Sequence, residues 1–285
     1  MKILILRGGA EPRARRNGSP TATASTRERG VMAIGNGNGQ WVLVNMSPAV
    51  AHQLDSDLRL DRHPGLADAD LRAVVLTDAQ VDHVGGLLSL RGGAPIDLYA
   101  TPAVFEQLTT ALPVLPVLQH YCGVHWRVVP VAGDRPVAAF RVEGLPTLEF
   151  TAVATEAALP PHLAQGQVPQ VGDRIALAVR DLATGQRVFC APGLSQIGPT
   201  EFEWMREADC LLLDPQPAPA PALPAADAPA VPGQARSWLA LLRGLPARHK
   251  VVFAEAGAAA GPAAADEAWA EQGLLLAYDG LEIEL

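Results

Sequence analysis

The most informative segment of the chain runs from residue 71 to residue 88 and reads LRAVVLTDAQVDHVGGLL. It opens with an apolar, β-branched run typical of a buried strand. The run ends in a short polar segment, and two glycines and a new apolar run follow; the polar residues are Asp78, Gln80, Asp82 and His83. Functional side chains often lie at such strand ends, where a rigid scaffold presents a loop.

The Asp82-His83 pair has two interpretations. A carboxylate beside an imidazole, with glycine allowing close approach of the backbone, suits a divalent metal ion. The alternative is that both residues belong to the start of the next helix and bind no metal. The spacing leaves both interpretations open, because one Asp-His dipeptide is a weak signal by itself.

Composition limits the class of protein. The 285 residues are 49% hydrophobic, which is enough for a sizeable core, and we expect a single domain over residues 1–285. A net charge of −8 argues against a nucleic-acid-binding surface. Cys122, Cys190 and Cys210 are too widely spaced for a disulfide framework and favour a reducing, cytoplasmic location. No run has the length of a membrane span.

Strand-like and helical segments alternate along the chain. The predicted strands cover residues 2–6, 41–45, 71–77, 96–100, 124–129, 147–154, 174–180, 187–191, 210–214, 250–254 and 274–278. The predicted helices cover 102–111, 200–208, 234–244 and 264–273, with Thr200 as the N-cap of the second. An early and a late series of strands joined by helices indicate an α/β fold of two packed sheets with helices outside, an αββα sandwich.

Two segments read as irregular. Residues 8–30 hold five arginines among Ser, Thr and Gly, and we expect a solvated basic loop. Residues 215–232 hold seven prolines and seven alanines, which predicts an extended insertion on the surface.

The segment from Asp78 to His83 resembles the His-x-His-x-Asp-His hallmark of the metallo-β-lactamase superfamily, with Asp78 and Gln80 in place of the first two histidines. Followed by Gly86-Leu87-Leu88, it is similar to the B family of pyrroloquinoline quinone (PQQ) biosynthesis. Other stretches agree with that family, among them LTTALPVLPVLQH at 108–120, FCAPGL at 189–194, ADCLLLD at 208–214 and YDGLEIEL at 278–285.

The resemblance implies a sandwich of the metallo-β-lactamase type and a metal site. The ligands that carry over are Asp82, His83 and Asp214. A further histidine is expected near the C-terminus, but Ala254 stands at that position, and Glu255 replaces it only if the strand turns its side chain inward. The family's structural zinc is not expected, because residues 8–30 contain no cysteine.

Three functions follow from the resemblance. The first is hydroxylation of a tyrosine in the PQQ precursor peptide with Fe²⁺ as cofactor. The second is non-catalytic binding or carriage of PQQ or an intermediate, with Asp78, Gln80 and Ser47 as polar contacts. The third, hydrolysis by a metal-bound water, fits least because both leading histidines are missing. We expect a small quinone or a precursor peptide as partner, no nucleic acid and no membrane, with a homodimer left open.

Overall fold

The computed structural model describes residues 1–9, 28–50, 72–92, 95–156, 159–164, 168–215, 241–253, 270 and 273–285. These residues form two seven-stranded sheets. The first sheet has the order β14-β1-β2-β3-β4-β5-β6, with β1 Lys2–Arg7, β2 Val31–Gly35, β3 Trp41–Val44, β4 Arg72–Val75, β5 Ile96–Ala100, β6 Val124–Val128 and β14 Glu282–Glu284. The second has the order β13-β12-β11-β10-β9-β8-β7, with β7 Val137–Phe140, β8 Leu148–Ala154, β9 Ile175–Asp181, β10 Arg187–Leu194, β11 Cys210–Pro215, β12 His249–Val252 and β13 Leu275–Leu276.

Side-chain alternation along the strands explains the layering. In β10, Val188 and Cys190 pack in the cluster between the two sheets, whereas Phe189 and Ala191 pack in an outer cluster with Met205 from a helix. Because successive side chains of a strand point to opposite faces, a strand that is apolar throughout is covered on both faces. The αββα sandwich predicted from the sequence is therefore confirmed.

The helices whose bounds lie within the described residues are short. They are α1 Val81–Val84, a 3₁₀ helix Gly85–Gly92, α2 Pro102–Thr109, α3 Val114–Leu118 and α4 Pro199–Glu207, and residues 241–244 are also helical. The prediction of Thr200 as an N-cap is wrong: Gly198 precedes the helix, Pro199 opens it, and the Glu201 carboxylate accepts a hydrogen bond from the Gly198 amide at 3.0 Å. Proline suits this position because its missing N–H is not needed there. None of the described helices has the length and apolar character needed to cross a membrane.

Several elements were not predicted. The strand β14 pairs with β1 in antiparallel fashion at the edge of the first sheet, and α3 carries Pro116 in its first turn, where proline is tolerated. The strands β2 and β7 lie in stretches for which the sequence predicts neither a strand nor a helix. Most of the predicted helices at 234–244 and 264–273, the insertion at 215–232 apart from its first residue, Ala254 and Glu255 lie outside the described residues.

The fold brings the ends of several strands to one edge. The strands β3, β4 and β5 are parallel to one another, and so are β10, β11 and β12. A hydrogen bond from the Ile175 amide to the Thr77 carbonyl, 2.9 Å long, ties the start of β9 in the second sheet to the end of β4 in the first. The residues at the ends of β3, β4, β10 and β11 therefore lie close together.

Candidate functional site

A clasp between Asn45 and Thr77 fixes the chain where β3 and β4 end. The Asn45 side-chain oxygen accepts a hydrogen bond from the Thr77 amide, and its side-chain nitrogen donates to the Thr77 hydroxyl, both at 2.9 Å. Asn45 adopts a φ of 62°, a left-handed conformation that asparagine tolerates better than most residues. The same nitrogen donates to the Gly30 carbonyl at 3.0 Å. The clasp positions Asp78, the next residue of the chain, at this edge of the sheet.

Asp78 is a fully buried carboxylate whose two oxygens each have two partners. One oxygen, Oδ1, accepts hydrogen bonds from the Gln80 amide at 2.9 Å and from His83 Nδ1 at 2.7 Å. The other, Oδ2, lies 3.1 Å from Arg174 Nε and 3.3 Å from Gln80 Nε2. Burial by itself raises the pKa, but the charges of His83 and Arg174 outweigh it and hold the pKa of Asp78 well below its usual range. Asp78 is therefore ionised.

His83 is buried, and both of its ring nitrogens face acceptors. Nδ1 lies 2.7 Å from the Asp78 carboxylate, and Nε2 lies 3.1 Å from the backbone carbonyl of Arg29. Neither partner has a proton to donate, so this arrangement favours a proton on both nitrogens, which makes the ring an imidazolium. Burial opposes the charged ring, but the neighbouring Asp78 carboxylate prevails and raises the pKa of His83 above 6.5.

Arg174, which immediately precedes β9, completes the buried charges around Asp78. Its side chain is 4% exposed. Besides the contact with Asp78, its Nη1 donates a 2.6 Å hydrogen bond to the Gly193 carbonyl at the end of β10. A buried charge is stable in a fold only when it is paired and hydrogen-bonded, and Arg174 meets both conditions.

Asp214 and Arg29 form a second ion pair beside His83. Arg29 Nε lies 3.5 Å from Asp214 Oδ2, and the two side chains are 21% and 4% exposed. The other Asp214 oxygen is buried and has no hydrogen-bond partner among the described residues. Burial raises the pKa of Asp214, although the charges of Arg29, His83 and Arg174 oppose the shift.

The segment Glu28–Gly30 covers His83. Gly30 has a φ of +72°, and a Cβ at this position would lie 2.9 Å from the Pro192 Cβ and 3.4 Å from His83 Nε2. Only glycine allows both the conformation and this approach. Glu28 is buried and forms an ion pair with Arg7 at 3.3 Å. The expectation of a solvated loop over residues 8–30 is therefore wrong for residues 28–30, while residues 10–27 lie outside the described part of the chain.

The remaining predicted site residues have different environments. Asp82 is half-buried and, within the described part of the chain, has no ion-pair or hydrogen-bond partner. Gln80 is half-buried and bound to Asp78, and Ser47 is fully buried with no partner for its hydroxyl among the described residues. Glu255 lies outside those residues. His249 pairs in register with Cys210, so it lies at the opposite end of the sheet from Asp214.

The described donors do not fit the metal ion that the resemblance implies. A histidine ligand needs an unprotonated ring nitrogen, whereas the two acceptors beside His83 favour a proton on each of its nitrogens. No group of three or more His, Cys, Asp or Glu side chains in the described ranges is placed to hold a metal ion. The guanidinium groups of Arg174 and Arg29 instead supply positive charge beside Asp78 and Asp214. The assignment of Asp82, His83 and Asp214 as ligands remains a prediction.

Comparisons with known proteins identify relatives. A family model described as a beta-lactamase superfamily domain matches residues 40–252. Coenzyme PQQ synthesis protein B of Methylobacillus flagellatus is 37% identical over 195 residues, which are 68% of this chain and 63% of that protein. The protein of the same name from Azotobacter vinelandii is 36% identical over 195 residues, with the same two shares. The matched region thus spans less than two thirds of these relatives' length.

Solved structures share the fold. The crystal structure of Zn(2+)-bound PqqB from Methylobacterium extorquens matches with a TM-score of 0.66 and 19% identity, and covers 100% of both chains. Human tRNase Z, short form, matches with a TM-score of 0.52 and 15% identity over 100% of this chain and 99% of that one. At these identities the likeness establishes the fold alone.

Proposed function

Because the chain belongs to the beta-lactamase superfamily and has PQQ synthesis B proteins as relatives, we propose that it binds PQQ or its precursor peptide without a metal. We place its binding cleft where β3, β4, β10 and β11 end. The protein then acts as a binder or carrier in the biosynthesis of PQQ or of a related peptide-derived quinone. The names of the relatives support the pathway, and the chemistry of the cleft supports the mode of action.

The observation that carries this proposal is the state of His83. Hydrogen bonds to Asp78 and to the Arg29 carbonyl use both ring nitrogens, so the ring contributes a positive charge and no metal ligand. The site holds cationic groups on Arg29, His83 and Arg174 beside the carboxylates of Asp78, Asp82 and Asp214. Of these cations Arg29 is the partly exposed one, which favours an anionic ligand at this place although the whole chain is acidic.

A quinone with carboxylate groups, or a glutamate of a precursor peptide, suits such a cleft. Arginine binds carboxylates through two parallel hydrogen bonds, which gives direction as well as affinity. Gln80 is half-buried beside Asp78 and provides a further polar contact. In this proposal Asp78 holds His83 and Arg174 in place and contacts the ligand only through them.

The test is to titrate the chelator-treated protein with PQQ and to measure the binding by calorimetry. We expect saturable binding with the same affinity before and after treatment with EDTA, because none of the proposed contacts passes through a metal ion. Binding that requires added iron or zinc would contradict the metal-free part of the proposal. If the protein binds neither PQQ nor the precursor peptide, the proposal as a whole is contradicted.

Metal-dependent hydroxylation of a precursor tyrosine is the competing proposal. It is favoured by the placement of His83 and Asp214, which lie close enough for each charge to influence the other, and by the unpartnered oxygen of Asp214 among the described residues. Asp82, His83 and Asp214, with Glu255 as a possible fourth residue, would hold Fe²⁺ in this case. This competing function requires His83 to lose its hydrogen bond to the Arg29 carbonyl. Incorporation of oxygen into the peptide by the iron-loaded protein would support it.

A further inference from the structure

We infer that Arg29 is the residue that recognises the ligand's carboxylate, and that it exchanges Asp214 for that carboxylate on binding. This inference rests on the proposed binding function and adds the specificity-determining residue. The expected ligand carries a carboxylate next to an N–H or O–H donor.

The backbone of Arg29 is fixed while its side chain reaches solvent. The carbonyl of Arg29 accepts the hydrogen bond from His83, and the next carbonyl, of Gly30, accepts one from Asn45. The side chain is 21% exposed, compared with 4% for Arg174. Because its backbone is anchored and its side chain is partly exposed, Arg29 can meet a ligand without a rearrangement of the chain around it.

The guanidinium of Arg29 has hydrogen-bonding capacity to spare. It carries five N–H groups. Its ion pair with Asp214, the one that it forms within the described part of the chain, is 3.5 Å long, whereas a charge-assisted hydrogen bond is about 2.7–2.9 Å. Arg7 is held more closely, at 2.7 Å from Asp279 and 3.3 Å from Glu28. Arg29 is therefore better suited than Arg7 or Arg174 to accept a new carboxylate.

Asp214 can release Arg29 without becoming an isolated charge. The charges of His83 and Arg174 also act on its carboxylate. Its buried oxygen has no hydrogen-bond donor among the described residues, and an N–H or O–H group of the ligand supplies one. A ligand with a carboxylate and an adjacent donor thus satisfies Arg29 and Asp214 together.

The experiment compares the binding of PQQ and of its methyl ester by four variants. Arg29→Gln is expected to weaken PQQ binding by about 10- to 100-fold, the loss typical of a hydrogen bond to a charged group, and to leave binding of the ester unchanged. Arg29→Lys is expected to fall in between, because lysine keeps the charge but lacks the planar fork. Asp214→Asn is expected to tighten PQQ binding, since it removes the competing carboxylate. The control is Arg91→Gln, at an exposed position of the 3₁₀ helix, which should bind like the wild type.

The outcomes separate recognition by Arg29, the exchange with Asp214 and the proposed function itself. If Arg29→Gln binds PQQ as tightly as the wild type, Arg29 is not the recognition residue, although the proposed function stands. If Arg29→Gln fails to fold, Arg29→Lys decides: wild-type affinity in that variant would overturn recognition by the guanidinium fork. Loss of binding in a folded Asp214→Asn protein would overturn the exchange. If the wild type binds neither PQQ nor the precursor peptide, the proposed function itself is wrong.

Discussion

Replacement of Arg174 by methionine is expected to lower the free energy of unfolding by about 3–5 kcal/mol, the cost of leaving a buried charge without its partner. Methionine is unbranched and uncharged, and its side chain is shorter than that of arginine. The substitution removes the cation 3.1 Å from Asp78 Oδ2 and the donor that satisfies the Gly193 carbonyl. Asp78 keeps His83, but its second oxygen loses the charge that compensates its burial.

Arg180→Met is the matched control, because Arg180 lies exposed near the end of β9, the strand that Arg174 precedes. Its expected effect is within about 0.5 kcal/mol, as for most surface substitutions. Urea unfolding of the two variants and the wild type measures the difference. Equal stability of the two variants would show that the Arg174–Asp78 pair does not contribute as described.

Replacement of Gly86 by alanine is expected to cost about 1–3 kcal/mol or more by overpacking. A Cβ on Gly86 would collide with the Ser47 carbonyl oxygen, and it would lie 2.6 Å from the Ser47 carbonyl carbon and 2.8 Å from the Met46 carbonyl oxygen. All three atoms belong to the backbone and cannot rotate away. The Gly86 amide also donates to the Met46 carbonyl at 2.9 Å, and the Met46 amide donates to the His83 carbonyl. A backbone shift at Gly86 is therefore passed through Met46 to the backbone of His83 in the candidate site.

The neighbouring residue provides the control for Gly86. A Cβ on Gly85 would meet the Pro48 Cγ at 3.2 Å, an atom at the end of a side chain, and Gly85 has right-handed helical backbone angles. The helical gain of alanine over glycine, about 0.5–1 kcal/mol, offsets this contact. Thermal unfolding of Gly85→Ala should stay close to the wild type while Gly86→Ala melts earlier. The reverse order would contradict the packing described for this loop.

Much of the fold could be predicted from local sequence patterns. Apolar runs bounded by polar residues located most strands, and Gly185, with a φ of +77°, lies in the turn of the β9–β10 hairpin. The position of Asp78 and His83 after β4 also follows from a local pattern. Elements without such a signal, such as β14, form through contacts between distant parts of the chain: the pair of Lys2 with Glu284 spans nearly its full length.

The partners of the site residues could not be predicted, because they come from distant segments. Arg29 lies 54 residues before His83 in a stretch whose composition indicates a solvated loop, and Arg174 stands outside the motif. One physical signal was available. A carboxylate at position 78, where the superfamily pattern has histidine, needs a nearby cation once it is buried. That requirement predicts a partner for Asp78, although the sequence alone does not say which arginine supplies it.

The metal-free binding mode requires an imidazolium at His83, and the protonation of this ring can be measured. Nitrogen-15 NMR of the metal-stripped protein, with His83→Gln to assign the signals, measures both ring nitrogens. At pH 6.5, below the raised pKa of His83, we predict that both nitrogens have the shifts of a protonated imidazolium and keep them when excess Zn²⁺ or Fe²⁺ is added. A ring nitrogen that loses its proton and takes up the metal, with stoichiometric metal content that disappears in His83→Gln, would contradict the account.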